Sequence, residues 1–452
     1  MSEHAKISRV FEPLLAEHGP NDRTEAIVFY RAPAGRGRPA RGRLRKLEAR
    51  LNRVKRRAAQ QRETHQKISA HYLAAAGKRV KKGPELEMAA IGASTLPAAR
   101  VEVTRRTLDA LAENPDVVAI MPNQKVRLLE PNRIEFRKLR RRELTSKLTW
   151  GLEALEVPEL WSTSKGRDVN VAVLDTGVYG DHEALAGRVR EFAIIDPLGR
   201  RISALPTFDG GRHGTHVCGT IAGGRTPDGV AIGMAPEANL IVGAVLVGEA
   251  TLITLLEGLS WALAQGADVV NMSLGFTYYE PLFAQVFAQL IDFGVLPVVA
   301  IGNENHGNTS SPGSAHNALA VGAAELMPRR KLEIAYFSSG ASFVFPGTEP
   351  NALVTKPDVA GPGVDVYSCI PPEGRPDGSH DYTHMDGTSM AAPHVAGAVA
   401  LLMAAEPDAP IEDIAQVLKD TARHPGGADA RPDNRWGYGM IRPLEALRAL
   451  QS

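Results

Sequence analysis

Residues 169–321 restrict the fold more than any other part of the chain. Five apolar runs of strand length, at 169–174, 239–247, 269–273, 295–300 and 318–321, alternate with helical stretches near 214–223, 253–265 and 282–293. Runs that are apolar on both faces cannot border water. They predict an α/β fold, a mostly parallel sheet with helices on both faces. Functional side chains of such sheets collect at the carboxyl ends of the strands. Polar residues that stop a strand are therefore the candidates to weigh.

Four stand out. VNVAVLDTGV sets Asp175 at the end of a buried strand, and HGTHVCGT sets His213 at the start of a helix whose small residues allow close packing. GTSMAAPHVAGAVALL sets Ser389 at the amino end of a long apolar helix, and VLPVVAIGN sets Asn303 just past another strand end. Free N–H groups and the helix dipole favour developing negative charge beside Ser389. Singly, each residue has an ordinary structural use as a turn, cap or N-cap. Jointly, they supply a nucleophilic hydrolase. A hydroxyl attacks a carbonyl when a base takes its proton, and imidazole serves best when a carboxylate fixes its tautomer. The Asn303 amide and the Ser389 N–H would donate to the oxyanion. His216, one turn after His213, reads as a packing residue. A metal site built on the two histidines lacks carboxylate or Cys partners at ligand spacing.

From about residue 150 onward the chain resembles the subtilisin-like serine proteases, the subtilase (peptidase S8) family. VAVLDTGV, HGTHVCGTIAG, VVNMSLG, VVAIGN, GTSMAAPHVAGAVALL and WGYGMIRPLEAL match in family order. The resemblance implies nucleophile Ser389, general base His213, orienting acid Asp175 and oxyanion donor Asn303. It also implies that Ser273, Leu274 and Gly275 pair with the substrate backbone and form one wall of the primary specificity pocket, with Ala300, Ile301 and Gly302 opposite. Ser310 would sit near the pocket base and make it shallower, and Glu249 falls near a shortened substrate-edge loop. Where many relatives carry a second Asp this chain has Tyr179, and Ala184 stands at a frequent calcium-ligand position. No cofactor is expected to be required and no strong calcium site is expected. A weaker calcium site leaves little sequence trace.

The front of the chain is organised differently. Residues 24–30 read as a strand, 44–73 as a charged helix, 100–104 and 117–121 as strands, and Thr107 as a helix cap between them. The stretch 132–147 reads as an exposed basic linker. ARVEVTRRTLDALAENPDVVAIMPNQKVRLL resembles the second half of a subtilase propeptide of the inhibitor_I9 type. The expected division is a basic propeptide-like domain at 1–130, a linker and processing region at 131–149 and a catalytic domain at 150–452. By that resemblance residues 1–149 inhibit the enzyme intramolecularly, and self-cleavage falls between about 128 and 149, before Trp150.

Charge supports such docking. Residues 1–149 hold 33 Lys and Arg against 16 Asp and Glu, a net +17, and residues 150–452 hold 19 against 35, a net −16. Fields of opposite sign favour mutual encounter. The alternative is a partner-regulated protein whose basic arm binds nucleic acid or an acidic protein. The arm GRGRPARGR lacks interleaved aromatic residues to stack bases, so nucleic acid is the weaker expectation. A composition 44% hydrophobic and 23% charged excludes a disordered chain. No run of about eighteen uninterrupted apolar residues appears, so no membrane span is expected. The start lacks a basic-then-apolar leader, and the two cysteines, Cys218 and Cys369, make no disulfide framework. A cytoplasmic setting is the expectation.

Overall fold

The computed structural model describes residues 6–17, 19, 22–31, 43–77, 88–281, 283–344, 353–375 and 378–452. Most of the Arg-rich arm, residues 35–42, lies outside them.

The strand that ends in Asp175, Asn170–Asp175, runs through the middle of a nine-stranded sheet. By first residue the order is Leu332, Leu319, Leu296, Val269, Asn170, Asn239, Val189 and Arg201, with Val359–Pro362 added beside Leu319–Leu326. All pairs from Leu319 to Val189 are parallel, as is the added strand. Only the two edge pairings are antiparallel.

Alternation along Asn170–Asp175 divides the interior in two. Val171 and Val173 belong to a core shared with the helices His213–Ala222 and Thr388–Ala405. Ala172 and Leu174 belong to one shared with Leu252–Ala264 and Phe283–Asp292. Thr388–Ala405 is long and apolar enough to cross a membrane by length and composition, but it is the central core helix, buried throughout from Thr388 to Leu402.

The front of the chain forms a four-stranded antiparallel sheet in the order Met88–Ala90, Ala98–Val103, Thr24–Tyr30, Val117–Pro122. One face, with Val28, Tyr30 and Val101, is covered by the 33-residue helix Arg43–Ala75 and by Arg105–Glu113. The other, with Ile27, Phe29, Ala119 and Met121, shares a core with Leu255, Leu256 and Leu259 of Leu252–Ala264. The sheet is therefore packed on both sides, and burial of each large apolar side chain there contributes about 1.5–3 kcal/mol. Arginines frame this contact. Arg50 binds Asp268 at 2.9 Å and the Gly266 carbonyl at 2.7 Å, Arg53 binds the Asp292 carbonyl at 3.1 Å, and Arg57 stacks over Phe293.

Two expectations are corrected. Thr104, not Thr107, is the N-cap of Arg105–Glu113; Thr107 is its reciprocal partner three residues on, completing a capping box. The 132–147 stretch is not a free exposed linker. Arg133–Glu135 adds as a strand beside Gly378–Asp386, and Arg141–Ser146 is helical. Arg133, Arg137, Arg140 and Arg142 find carboxylates of the rear half, which a composition-based reading of the stretch alone does not reveal.

Candidate active site

Asp175 ends its strand fully buried, and its carboxylate is held by the Thr176 backbone N–H at 2.7 Å. His213 opens its helix under tight control. Asp209 accepts both the backbone N–H and the hydroxyl of Thr215, and the Thr176 hydroxyl accepts the Gly214 N–H. A side chain at Gly214 would strike the Gly177 carbonyl at 2.1 Å. This close approach brings His213 Nδ1 to 2.8 and 3.0 Å from the two Asp175 oxygens. Burial disfavours the charged imidazole, but Asp175 outweighs it and holds the His213 pKa above the ordinary histidine value.

The nucleophile candidate sits in the first turn of Thr388–Ala405. Pro393, four residues on, lacks the N–H that would close a helical bond to the Ser389 carbonyl. The Ser273 hydroxyl supplies that bond instead at 3.3 Å, tying the end of the Val269–Met272 strand to the helix start. Asn303 is fixed by the same turn: its Oδ1 accepts the Thr388 N–H and hydroxyl, both at 2.9 Å, which leaves Nδ2 pointing outward. Thr388, Thr176 and Asp209 are positioning residues that the strand-end logic did not select. The signal for each was present: Thr388 and Thr176 adjoin Ser389 and Asp175, and Asp209 stands four residues before His213.

The groove beside these residues holds the chain's own residues 126–132. Arg127–Leu128 pairs antiparallel with Leu274–Gly275, the Leu129 N–H donates to the Ser273 carbonyl at 3.1 Å, and the Val126 N–H donates to the Ala250 carbonyl at 3.0 Å. Ser273, Leu274 and Gly275 thus receive an extended strand by edge addition. Neighbouring Glu249 pairs with Lys125 at 2.6 Å. Of the residues expected opposite, Ala300 and Ile301 are fully buried, and both backbone groups of Ile301 are already used by Val321 and Ser310. Gly302 adopts φ +116°, and a side chain there would meet Glu304 Oε2 and Ser310 Oγ, both at 2.4 Å. Ser310 Oγ donates to Glu304 at 2.8 Å, so both side chains crowd Gly302.

The seated strand divides the reactive groups. Ser389 Oγ donates to the Leu129 carbonyl at 3.0 Å, whereas Asn303 Nδ2 donates to the next carbonyl, Glu130, at 2.9 Å. His213 Nε2 is buried with no hydrogen-bond partner among the described residues. A productive peptide needs one carbonyl at both the hydroxyl and the amide. Here two consecutive carbonyls occupy them separately.

The comparisons agree with this geometry. Residues 166–439 match the sequence profile of the subtilase family. The chain belongs to the subtilase family.

This subtilase is 35% identical to subtilisin Savinase of Lederbergia lenta over 303 residues, 66% of this chain and 98% of that protein. It is 32% identical to alkaline elastase YaB of Bacillus sp. (strain YaB) over 356 residues, 78% of this chain and 80% of the relative. It is also 32% identical to the major intracellular serine protease of Bacillus subtilis (strain 168) over 273 residues, 58% and 76% of the two chains. Among solved structures it superposes on fervidolysin from Fervidobacterium pennivorans, a keratinolytic enzyme related to subtilisin, with a TM-score of 0.65 and 25% identity. That match covers 96% of this chain but 62% of the fervidolysin chain. The protein is a subtilisin-like serine endopeptidase.

Two other expectations meet the structure here. His216 is fully buried, its Nε2 donates to the Val366 carbonyl at 3.0 Å, and burial pushes its pKa down to about 3. It is a packing residue, unavailable as a base. At the family's calcium position Ala184 offers only its carbonyl, which already accepts the Gly224 N–H at 2.8 Å. Among the described residues no group of three or more His, Cys, Asp or Glu gathers.

Proposed function

We propose that this subtilase is a latent endopeptidase, inhibited by its own residues 126–132, and that it hydrolyses polypeptides through an acyl-enzyme on Ser389. The observation that carries latency is the division of the two catalytic donors between the Leu129 and Glu130 carbonyls. When the strand leaves, Ser389 Oγ is free to turn to His213 Nε2. Substrate then adds along Ser273–Gly275, and its scissile carbonyl takes the place the two carbonyls now share. Oγ attacks the carbonyl carbon and its proton passes to His213 Nε2. Asn303 Nδ2 and the Ser389 N–H hold the oxyanion, and the same proton goes to the leaving amine. Water, deprotonated by His213, then releases the acyl group.

The front half serves as the inhibitory domain in this reading, supported by its shared core and its arginine contacts with the rear half. Those contacts commit Arg50, Arg53 and Arg57 to protein, which favours the intramolecular reading over nucleic-acid binding. Cys218 and Cys369 are buried, free and pushed well up in pKa by burial, to about 12 for Cys369. They support the proposal of a cytoplasmic setting.

Intact-mass analysis of wild type beside Ser389→Ala, each incubated with a denatured protein, tests the reading. Latency predicts that wild type stays whole across 128–131 and spares the added protein until the strand is displaced by mild denaturant. Ser389→Ala is then expected to remain inert under the same treatment. Prompt wild-type cleavage within 128–131 would overturn latency.

The pH profile follows from Asp175. Only neutral imidazole can take the proton, and Asp175 stabilises the imidazolium, so deprotonation needs a higher pH than for free histidine. In the displaced enzyme kcat/KM on a chromogenic peptide is expected to rise with pH through a midpoint above the ordinary histidine value. Asp175→Asn is expected to move that midpoint down and to cost about 10⁴ in rate, as for the analogous carboxylate in serine proteases.

A further inference from the structure

Past the active site the chain does not leave the surface. The Asn132 N–H donates to the Asp386 carbonyl at 2.7 Å, and Arg133–Glu135 lies antiparallel on Gly378–Asp386 in the register Arg133 to Asp386, Ile134 to Met385, Glu135 to His384. Asp386 stands three residues before Ser389, so this strand edge begins on the leaving-group side of the scissile position. Arg133, four residues past Leu129, spans both carboxylates there: Nε to Asp386 at 2.8 Å and Nη2 to Asp365 at 2.7 Å. Arg137 reaches the same Asp365 oxygen at 2.7 Å, and Arg140 binds the other. Asp386 in turn accepts the Asp365 backbone N–H at 2.7 Å, which locks the two acids together.

Asp365 is mostly buried, and three arginines hold its carboxyl below the usual carboxylate range against the opposing cost of burial. Glu325 shares the field, its carboxyl pushed up by burial and by Glu333, Asp386 and Asp365. One mostly buried carboxylate serving three guanidinium groups, beside a strand edge that Arg133–Glu135 occupies, is a recognition arrangement: the backbone gives affinity and the acids choose the side chains.

We propose that Asp365, Asp386 and the edge of Gly378–Asp386 form an exosite that selects polypeptide substrates bearing arginine about four and eight residues beyond the cleaved bond. Residues 131–140 are its resident occupant and leave when the groove opens. The proposal deepens the latent-endopeptidase reading and rests on it. Its substrate class is an extended, arginine-bearing polypeptide. The negative field opposes nucleic acid at this site.

The test uses the full chain carrying Leu129→Asp, Arg133→Gln, Arg137→Gln and Arg140→Gln, so that the resident segment vacates both groove and exosite. Two peptides share one cleaved bond and differ only in Arg or Gln four and eight residues beyond it. The Arg peptide is expected to show a kcat/KM about tenfold higher, equivalent to about 1.4 kcal/mol. Adding Asp365→Asn is expected to bring the ratio near one, as is high salt. Equal rates for the two peptides with Asp365 intact would overturn the exosite. Asparagine tolerates the φ of 54° at position 365, so the variant keeps the backbone.

A second arm needs no catalysis. In full-length Ser389→Ala, Asp365→Asn is expected to speed hydrogen exchange at amides 132–135 at least tenfold while leaving 24–30 unchanged. No change at 132–135 would also overturn the proposal. If neither peptide is hydrolysed faster than by a Ser389→Ala counterpart, the endopeptidase reading fails, and this exchange arm decides the exosite by itself.

Discussion

Leu129→Asp in the otherwise unaltered chain is expected to raise hydrolysis of a small peptide substrate at least tenfold. Leu129 is 5% exposed and belongs to the main core cluster of the rear half. Its burial contributes about 1.5–3 kcal/mol to keeping the strand seated. A carboxylate in its place loses that term and adds a desolvation cost of several kcal/mol with no cation supplied. Since 1.4 kcal/mol is a factor of ten in the seated-to-displaced ratio, the seated population should collapse. The contacts that hold the front sheet, around Ile27, Phe29 and Met121, lie elsewhere in the interior, so the fold is expected to survive. Hydrogen exchange at 24–30 and 170–175 checks this. Leu129→Met, which keeps volume and apolarity, should stay latent. An unchanged rate in a correctly folded Leu129→Asp protein would show that something other than this strand closes the site.

What was legible in the sequence follows from what local physics controls. The strand Asn170–Asp175 had to be buried, since its apolar residues leave no polar face, and its terminal Asp had to meet the site edge. The helix Arg43–Ala75 was readable from spacing, although its role was not, because Arg50 and Arg57 acquire meaning only opposite Asp268 and Asp292, more than two hundred residues away. The same reason hid the docking of residues 132–147. A basic stretch looks solvated until Asp365 and Asp386 are placed beside it.

The four selected site residues were visible as strand and helix ends. Thr176, Asp209 and Thr388 stood near them without being selected, since a hydroxyl or carboxylate near a glycine turn has many ordinary uses, and only the fold aims Thr176 and Asp209 at the start of the His213 helix and Thr388 at Asn303. Nor could sequence show that two carbonyls, Leu129 and Glu130, divide the reactive groups, because the seating of the strand depends on both of its flanks. Val126 to Leu129 is fixed by pairing to Ala250 and to Ser273–Gly275, whereas Asn132 to Glu135 is fixed by Gly378–Asp386. Glu130 and Pro131 must span whatever distance those two anchors leave.

In the Leu129→Asp background, Ser389→Ala is expected to cut kcat by a factor of about 10⁶, a magnitude taken from subtilisin, of the same family. His213→Ala should cost about as much, and the double variant scarcely more. Nucleophile and base act as one unit: without His213 the hydroxyl keeps its proton, and without Ser389 the imidazole has no proton to take. Asn303→Ala should behave differently, losing about 10²–10³ in kcat with KM little altered, again the scale found for subtilisin. Its Nδ2 already reaches a carbonyl oxygen at 2.9 Å, and Thr388 holds it there before any substrate arrives. The amide therefore contributes by preorganisation as charge develops on that oxygen, while ground-state binding rests on the strand edge at Ser273–Gly275. Stopped-flow kinetics on an ester and an amide of one peptide separates these roles. Asn303→Ala should keep an acylation burst on the ester, and Ser389→Ala should abolish it. A burst that survives Ser389→Ala would place the nucleophile at another residue.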